Sequence, residues 1–352
     1  MIKKIAILSG DGVGDEITTQ SLKVLNEIAK KFHHDFLYHE GLIGASALDN
    51  SGSGKPLPDE TLSICRNSDA ILFGAIGDPK YDQNPNYKIR PEKGLLILRK
   101  TLNLFCNIRP VMTYDVLLKR SPLNTERVKG IDIKIYRELI GGIYFGDKGT
   151  SDDKKAYDYC FYAFEDVQRI GHIAFKEAIA RNNNLTLVDK ANVLETSRLW
   201  RETIQTMAKD YSKVNIDFLF IDNAAMQILL HPKNFDVILT DNMFGDILSD
   251  EASVIAGSIG LIPSSSIGDK NALFEPIHGS YYQAAKKNIA NPLGSILSVA
   301  MLLNYLRLYK EAQLVRKAVY NTINYYKSTY DISSFYPIGT EEVGDFIVQE
   351  LS

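Results

Sequence analysis

Cysteine is scarce. Cys65, Cys106 and Cys160 are the only three in 352 residues, an odd number at wide spacings that forms neither a disulfide framework nor the paired spacing of a structural zinc site. A reducing, cytoplasmic setting is expected. No block of one charge sign occurs either: 40 basic and 43 acidic residues are spread along the chain to a net charge of -3, which argues against a nucleic-acid partner and against a charged tail. Long apolar runs are also missing. Ile5 to Leu8, behind Met1-Ile2-Lys3-Lys4, is too short for the apolar region of a signal peptide. The most apolar later stretch, Ile296 to Leu306, is broken by Ser298, Asn304 and Tyr305 and falls short of the roughly 20 residues that cross a bilayer, so no membrane segment is expected. No repeat of fixed period and no low-complexity segment is present.

What remains is a chain with 45% apolar residues, long enough for two lobes. Lys3 to Leu8 reads as a short strand, the cluster Gly10, Gly12 and Gly14 as a loop, and Glu16 to Phe32 as a helix with Ile17, Leu22, Leu25, Ile28 and Ala29 at helical spacing. Further strand-like runs are Ala70 to Phe73, Ile131 to Tyr136, Leu185 to Val188, Phe218 to Ile221 and Val237 to Leu239. Several are followed by helical patterns, and this alternation predicts an α/β fold with a mostly parallel sheet. Lys148 to Tyr159 is polar and irregular and reads as an excursion from one lobe. Ile289 to Asn324 is strongly helical in pattern and is expected beside the first strands.

Two motifs fail on inspection. Ser53-Gly54-Lys55 lacks the earlier glycine and the following hydroxyl of a phosphate loop, having Asp49 and Pro56 there. Gly10-Asp11-Gly12-Val13-Gly14 lacks the third glycine of the dinucleotide fingerprint, since residue 15 is Asp15, so a Rossmann fold is not expected. His33 and His34 end a helix with no ligand cluster nearby and are read as solvated.

Three constellations carry chemistry. In Asn242-Met243-Phe244-Gly245-Asp246-Ile247-Leu248-Ser249-Asp250, the two aspartates are four apart and share one face of a helix. Paired carboxylates among apolar neighbours, just beyond a strand end, suit a hard divalent ion such as magnesium or manganese, whereas a lone pair is ordinarily a solvated acidic face. Arg90, Arg99, Arg109 and Arg137 offer planar forks suited to carboxylates, and convergence of several would indicate a di- or tricarboxylate substrate. Each alone reads as a surface arginine. Lys190, just after a strand, and Tyr144, in the glycine-bracketed Gly141-Gly142-Ile143-Tyr144-Phe145-Gly146, can move protons once burial or a neighbouring charge tunes them.

Taken in order, these segments resemble the metal-dependent decarboxylating dehydrogenases that include the isopropylmalate, isocitrate, homoisocitrate and tartrate enzymes. The likeness also includes Arg90-Pro91-Glu92-Lys93-Gly94-Leu95-Leu96, Asn107-Ile108-Arg109-Pro110, Asp189-Lys190-Ala191-Asn192-Val193 and Glu275-Pro276-Ile277-His278-Gly279-Ser280, and so runs nearly end to end. The Glu92 and Leu95 loop and the Gly-Gly-Ile-Tyr-Phe-Gly stretch are most similar to the isopropylmalate branch, which serves leucine biosynthesis. The resemblance implies the two-lobed isocitrate/isopropylmalate dehydrogenase-like fold. Residues 1–104 with 257–352 would form a cofactor-side lobe, and 105–256 a lobe for substrate, metal and dimerisation. It implies a homodimer whose site is built across subunits, with Asp246 and Asp250 from one chain and Lys190 and Asp222 from its partner.

The resemblance further implies that Asp222, Asp246 and Asp250 hold magnesium or manganese and that Asp222 also lies against the substrate. Lys190 would take the hydroxyl proton, Tyr144 would protonate the enol, and Arg99, Arg109 and Arg137 would hold carboxylates. Leu95 would offer an apolar contact to an isopropyl group, worth only about 1 to 3 kcal/mol of selectivity. For the cofactor it points to the loops 78–92 and 279–291, with Asp78, Glu92, His278, Gly279, Ser280, Gln283, Ala284 and Asn291. Many relatives have an aspartate where this chain has Gln283 and a glycine where it has Lys286, and that aspartate excludes NADP. The Lys-Tyr pair of NADP-using relatives is absent as well, so NAD is the expected cofactor. A sibling hydroxy-acid dehydrogenase and a non-catalytic ligand-binding relative are the alternatives. Retention of Lys190, Tyr144, Asp222, Asp246 and Asp250 favours an active enzyme.

Overall fold

The computed structural model describes residues 1–84, 87–152, 154–333 and 336–352. The chain divides into two compact units, Met1–Leu104 with Ser258–Ser352, and Phe105–Gly257. In chain order the described strands are β1 (Ile2–Gly10), β2 (Asp35–Glu40), β3 (Ala70–Ala75), β4 (Cys106–Met112), β5 (Asp132–Glu138), β6 (Lys148–Thr150), β7 (Ala156–Asp158), β8 (Asn184–Asp189), β9 (Asn215–Phe220), β10 (Val237–Thr240), β11 (Pro263–Ile267) and β12 (Ala272–Pro276).

In the first unit the strand order is β2-β1-β3-β12-β11. All neighbours run parallel except the β11–β12 hairpin. β3 is buried along its whole length, as a central strand covered on both faces must be. One face carries a core of Ala6, Leu8, Ile43, Leu57, Phe73, Leu98 and Leu273. On the other, the helix Gly14–Phe32 packs against the helices Leu293–Tyr305 and Thr340–Leu351, with the buried hydroxyls of Ser21 and Ser295 2.8 Å apart. The helical stretch expected over 289–324 resolves into Leu293–Tyr305 and Tyr309–Asn324, and the first of these does contact β3.

The glycine loop after β1 is occupied internally. Gly12 has φ +60°, and a Cβ there would lie 2.1 Å from the Ser280 carbonyl oxygen; only glycine allows this approach. The next residue, Val13, donates its N–H to the same oxygen at 2.9 Å. Asp11 is buried and accepts N–H bonds from Ala45, Ser46 and Gly77 at 2.8–2.9 Å, tying three loops together. His33 is exposed as expected, but His34 is not simply solvated, because its Nε2 lies 2.7 Å from Glu311.

In the second unit the order is β4-β5-β10-β8-β9, parallel except for β4–β5. The expected strand Phe218 to Ile221 is the end of β9, with Ile221 opening the next helix. The irregular stretch 148–159 contains a small antiparallel pair, β6–β7; its residue 153 lies outside the described residues. No described helix is long and apolar enough to cross a membrane.

Candidate active site

β5 ends beside the end of β10, and the parallel register pairs Arg137 with Thr240. Two residues later the helix Asn242–Ala256 begins, capped by Asp241, whose carboxylate accepts the Phe244 N–H at 2.8 Å. Burial pushes the Asp241 carboxyl up to about 6. With so short a connection, the helix lies against β4 and β5, and its polar face meets the arginines those strands carry.

Arg137 is 2% exposed. Its Nη1 donates to Asp246 at 2.5 Å, and its Nε and Nη2 donate to Asn242 Oδ1 at 3.0 and 2.7 Å. Arg109 projects from β4, two residues after Asn107 and so on the same face of the strand. Its Nε donates to Asn107 Oδ1 at 2.8 Å and its Nη1 to Ser249 Oγ at 2.6 Å. The same guanidinium is 3.4 Å from Asp246 and 3.5 Å from Asp250. The expected one-face pairing of Asp246 and Asp250 is therefore realised, and two buried arginines balance its charge. Burial pushes the Asp250 carboxyl upward against the pull of Arg109, and Asp246 adds to the rise.

Tyr144 joins this group, its hydroxyl donating to Asp246 Oδ2 at 3.1 Å and its ring 5.8 Å from the Arg137 guanidinium carbon. Burial, then Asp246, push the phenol above its ordinary range, so Tyr144 holds its proton at neutral pH. The turn that presents it is organised by Glu138, fully buried, which accepts the N–H groups of Ile140 and Gly141 at 3.1 and 2.8 Å.

Burial pushes the Glu138 carboxyl from its ordinary 4.5 up to about 7. Because the folded value is the higher one, stability from this group is complete below about pH 4.5 and is lost as pH rises through about 7. Wild-type stability is expected to fall by about 2–3 kcal/mol more than that of Glu138→Gln between about pH 5 and pH 8. Denaturant midpoints at both pH values measure this, and parallel curves for the two proteins would refute it.

Lys190 follows β8 directly. The preceding Asp189 is buried and gripped through both oxygens by Arg201 at 2.8 Å, which fixes where Lys190 starts. Its ammonium bonds Asp222 and lies 5.6 Å from the Phe220 ring centre. This bond holds the Asp222 carboxyl below its usual range. No group of three or more His, Cys, Asp or Glu side chains able to hold a metal comes together among the described residues of one chain. The seven polar candidates of this unit thus fall into two sets: Arg109, Arg137, Tyr144, Asp246 and Asp250, and separately Lys190 with Asp222.

The first unit holds the remaining candidates. Arg99, 9% exposed, donates from Nη2 to Glu275 at 2.8 Å, while its buried Nε has no hydrogen-bond partner. Leu95, on the same helix, packs in the core cluster with 8% exposure. Arg90 is 3.4 Å from Asp82. Asp78 caps the helix Pro79–Gln83 by accepting the Lys80 N–H at 2.9 Å. Glu92 is half-buried, and burial pushes its carboxyl upward. Residues 85–86 of this loop lie outside the described residues.

In the other loop, His278 Nδ1 is 2.9 Å from the Gly279 oxygen, its Nε2 has no partner, and burial holds its pKa below the ordinary value. A Cβ at exposed Gly279 would meet nothing. Gln283 is exposed and Ala284 packs with Val13, Ile17 and Ala290. Asn291 spends both side-chain ends internally, donating to Asp331 at 2.8 Å and accepting the Leu293 N–H at 3.0 Å.

Asn107, Glu138, Asn242 and Ser249 belong to this cluster without any expectation from sequence. All four lay inside or beside the segments singled out, and periodicity offered a signal: Asn107 is two residues from Arg109 on a strand, and Asn242 four from Asp246 on a helix.

A sequence model described as isocitrate/isopropylmalate dehydrogenase matches residues 4–347. The chain belongs to that family. Among its relatives, the 3-isopropylmalate dehydrogenase of Bacteroides fragilis is 50% identical over 347 residues, covering 98% of both chains. That of Wolinella succinogenes is 48% identical over 97% of this chain and 94% of its own. Of solved structures, the isocitrate dehydrogenase of Methylococcus capsulatus superposes with a TM-score of 0.90 at 31% identity, covering 99% of both chains. A beta-decarboxylating dehydrogenase of Thermococcus kodakarensis gives a TM-score of 0.79 at 36% identity, over 99% of this chain and 96% of that one.

Proposed function

We propose that this chain is a cytoplasmic, homodimeric enzyme of leucine biosynthesis that oxidises and decarboxylates (2R,3S)-3-isopropylmalate to 4-methyl-2-oxopentanoate and CO2, reducing NAD. The observation that carries the reading is the convergence of Arg109 and Arg137 on Asp246, with the Tyr144 hydroxyl on the other oxygen of that carboxylate. The relatives above, named for this substrate, are what selects it from the sibling acids.

The groups present fit a hard divalent ion and a dinucleotide. Asp246 and Asp250 are oxygen donors sharing one helix face, and with Asp222 of the partner subunit they would hold magnesium or manganese. His278 carries an unsatisfied buried nitrogen, and Gly279 leaves open space beside it; with Asp78, Glu92, Ser280, Gln283, Ala284 and Asn291 they would hold NAD. When bound, the metal supplies polarisation of the substrate's hydroxyl and carboxylate, and the nicotinamide accepts the hydride.

The chain's own residues do the rest. Arg109 and Arg137 fix the carboxylates through their forks, and Arg99 adds its unpartnered Nε–H. Leu95 is assigned the isopropyl contact. Lys190, after passing its ammonium proton to Asp222 or solvent and standing as the neutral amine, accepts the hydroxyl proton as the alcohol is oxidised, and Asp222 holds its side chain in place. After CO2 leaves, Tyr144 delivers a proton to the carbon, since its phenol stays protonated at neutral pH.

Formation of NADH on mixing protein, 3-isopropylmalate, magnesium and NAD tests this directly, with isocitrate, malate and NADP in parallel. Turnover is expected with 3-isopropylmalate and NAD. A preference for another acid would move the chain to a sibling activity, and no turnover on any of them would refute the enzyme reading.

A further inference from the structure

Asn242 is 1% exposed and every polar atom of its amide side chain is committed. Oδ1 accepts from two nitrogens of Arg137 at 3.0 and 2.7 Å, and Nδ2 donates to the Gly141 carbonyl oxygen at 3.1 Å. Its backbone N–H donates to the Tyr162 hydroxyl at 3.0 Å. Gly141 leads into the turn Gly142–Tyr144, and the Tyr144 hydroxyl returns to Asp246, one helical turn after Asn242. Arg137 also bonds Asp246. The contacts therefore close into a ring, running from Asn242 through Arg137, Asp246, Tyr144 and Gly141 back to Asn242.

Three details make the ring specific. Gly245 lies under the Arg137 stem, where a Cβ would come within 2.7 Å of Cγ, so a side chain there would displace the arginine. A neutral amide gives Arg137 its acceptor without adding charge beside Asp241 and Asp246, whose carboxylates already crowd this end of the helix. The amide's separate oxygen and NH2 let one short side chain accept from the guanidinium at one end and donate to a backbone carbonyl at the other.

We propose that Asn242 is a positioning residue that locks the Arg137 guanidinium to the turn carrying Tyr144, so that the carboxylate-binding group and the proton donor are set in register by one side chain. This rests on the function proposed above and deepens it. Through its oxygen Asn242 governs substrate binding, and through its nitrogen it governs the proton step.

The two halves separate experimentally. Asn242→Ala is expected to raise KM for 3-isopropylmalate about tenfold or more, the scale of a lost hydrogen bond to a charged group, and to lower kcat, with KM for NAD changed by less than about twofold. Asn242→Asp keeps the acceptor for Arg137 but loses the donor to Gly141 and adds a charge beside Asp241 and Asp246, so KM recovers only part of the loss seen in Asn242→Ala while kcat stays reduced about tenfold. If Asn242→Ala fails to fold by circular dichroism, Asn242→Ser replaces it.

A second readout does not depend on turnover. The Arg137 Nε–H resonance, assigned by its loss in Arg137→Lys, is expected to be protected from exchange in wild type and Asn242→Asp and unprotected in the truncated variant. A protected resonance in that variant, or kinetic constants for both substrates that stay unchanged or rise together, overturns the proposal. If wild type itself does not oxidise 3-isopropylmalate, the functional reading fails, and the resonance alone decides the role of Asn242.

Discussion

Lys190→Ala is expected to lower turnover of 3-isopropylmalate by about 10²–10⁴-fold, the range lost when a positioned general base is removed. The ammonium sits on Asp222 at the end of β8, and the side chain is 25% exposed, so truncation leaves no buried charge unpaired. Thermal stability should hardly change, since an ion pair whose carboxylate partner is 66% exposed contributes little. Lys190→Arg separates charge from proton transfer. It keeps a cation beside Asp222 but cannot release its proton, so it should be as inactive as the alanine variant. Initial rates for the three proteins test this, and an arginine variant with near wild-type rates would show that Lys190 acts by charge alone.

Asp246→Asn is the second large effect, because one carboxylate serves three partners at once, Arg109, Arg137 and Tyr144, and is also proposed to ligate the divalent ion. Loss of the metal's contribution is expected to lower kcat by about 10³-fold or more, with a higher magnesium concentration needed for half-maximal rate. The variant is also expected to be less stable. Arg109 and Arg137 are 6% and 2% exposed, and removing their shared counter-charge leaves buried guanidinium groups poorly compensated. The full penalty for a broken buried pair is about 3–5 kcal/mol; since Asp246 itself is 35% exposed, about 2 kcal/mol is the expected loss. Magnesium titrations of the rate and melting curves without metal measure the two parts independently. Full turnover at an unchanged magnesium requirement would remove Asp246 from the proposed metal set.

Asp250 offers a contrast on the same helix. Its side chain is 58% exposed and touches only the edge of Arg109 among the two arginines. The pair reads as equivalent in the sequence, yet the structure makes Asp246 the hinge of the site and Asp250 its outer member.

Local chemistry explains what could be read without a structure. A strand, a glycine loop and a helix at the start follow from apolar spacing and from glycine's backbone freedom, and β1 and Gly14–Phe32 form where that spacing falls. The shared face of Asp246 and Asp250 follows from 3.6 residues per turn. Some strands were harder: β2 and β11 lack a clear apolar run, since Asp35–Glu40 is largely polar and exposed and Pro263–Ile267 carries three serines. Their place comes from pairing with neighbours rather than from their own residues.

Residue identity and short-range periodicity suffice for the family, the order of the motifs and the chemical types available at the site. Tertiary structure alone decided which groups meet. Arg137 finds Asn242 and Asp246, more than a hundred positions away, only because β5 and β10 pair in the register that sets Arg137 beside Thr240. It likewise decided that Leu95 lies in a core and that Asn291 is spent on Asp331 and the Leu293 N–H. A residue's identity limits the bonds it can make, but its partner is chosen by strand register and helix packing, which are properties of the whole chain.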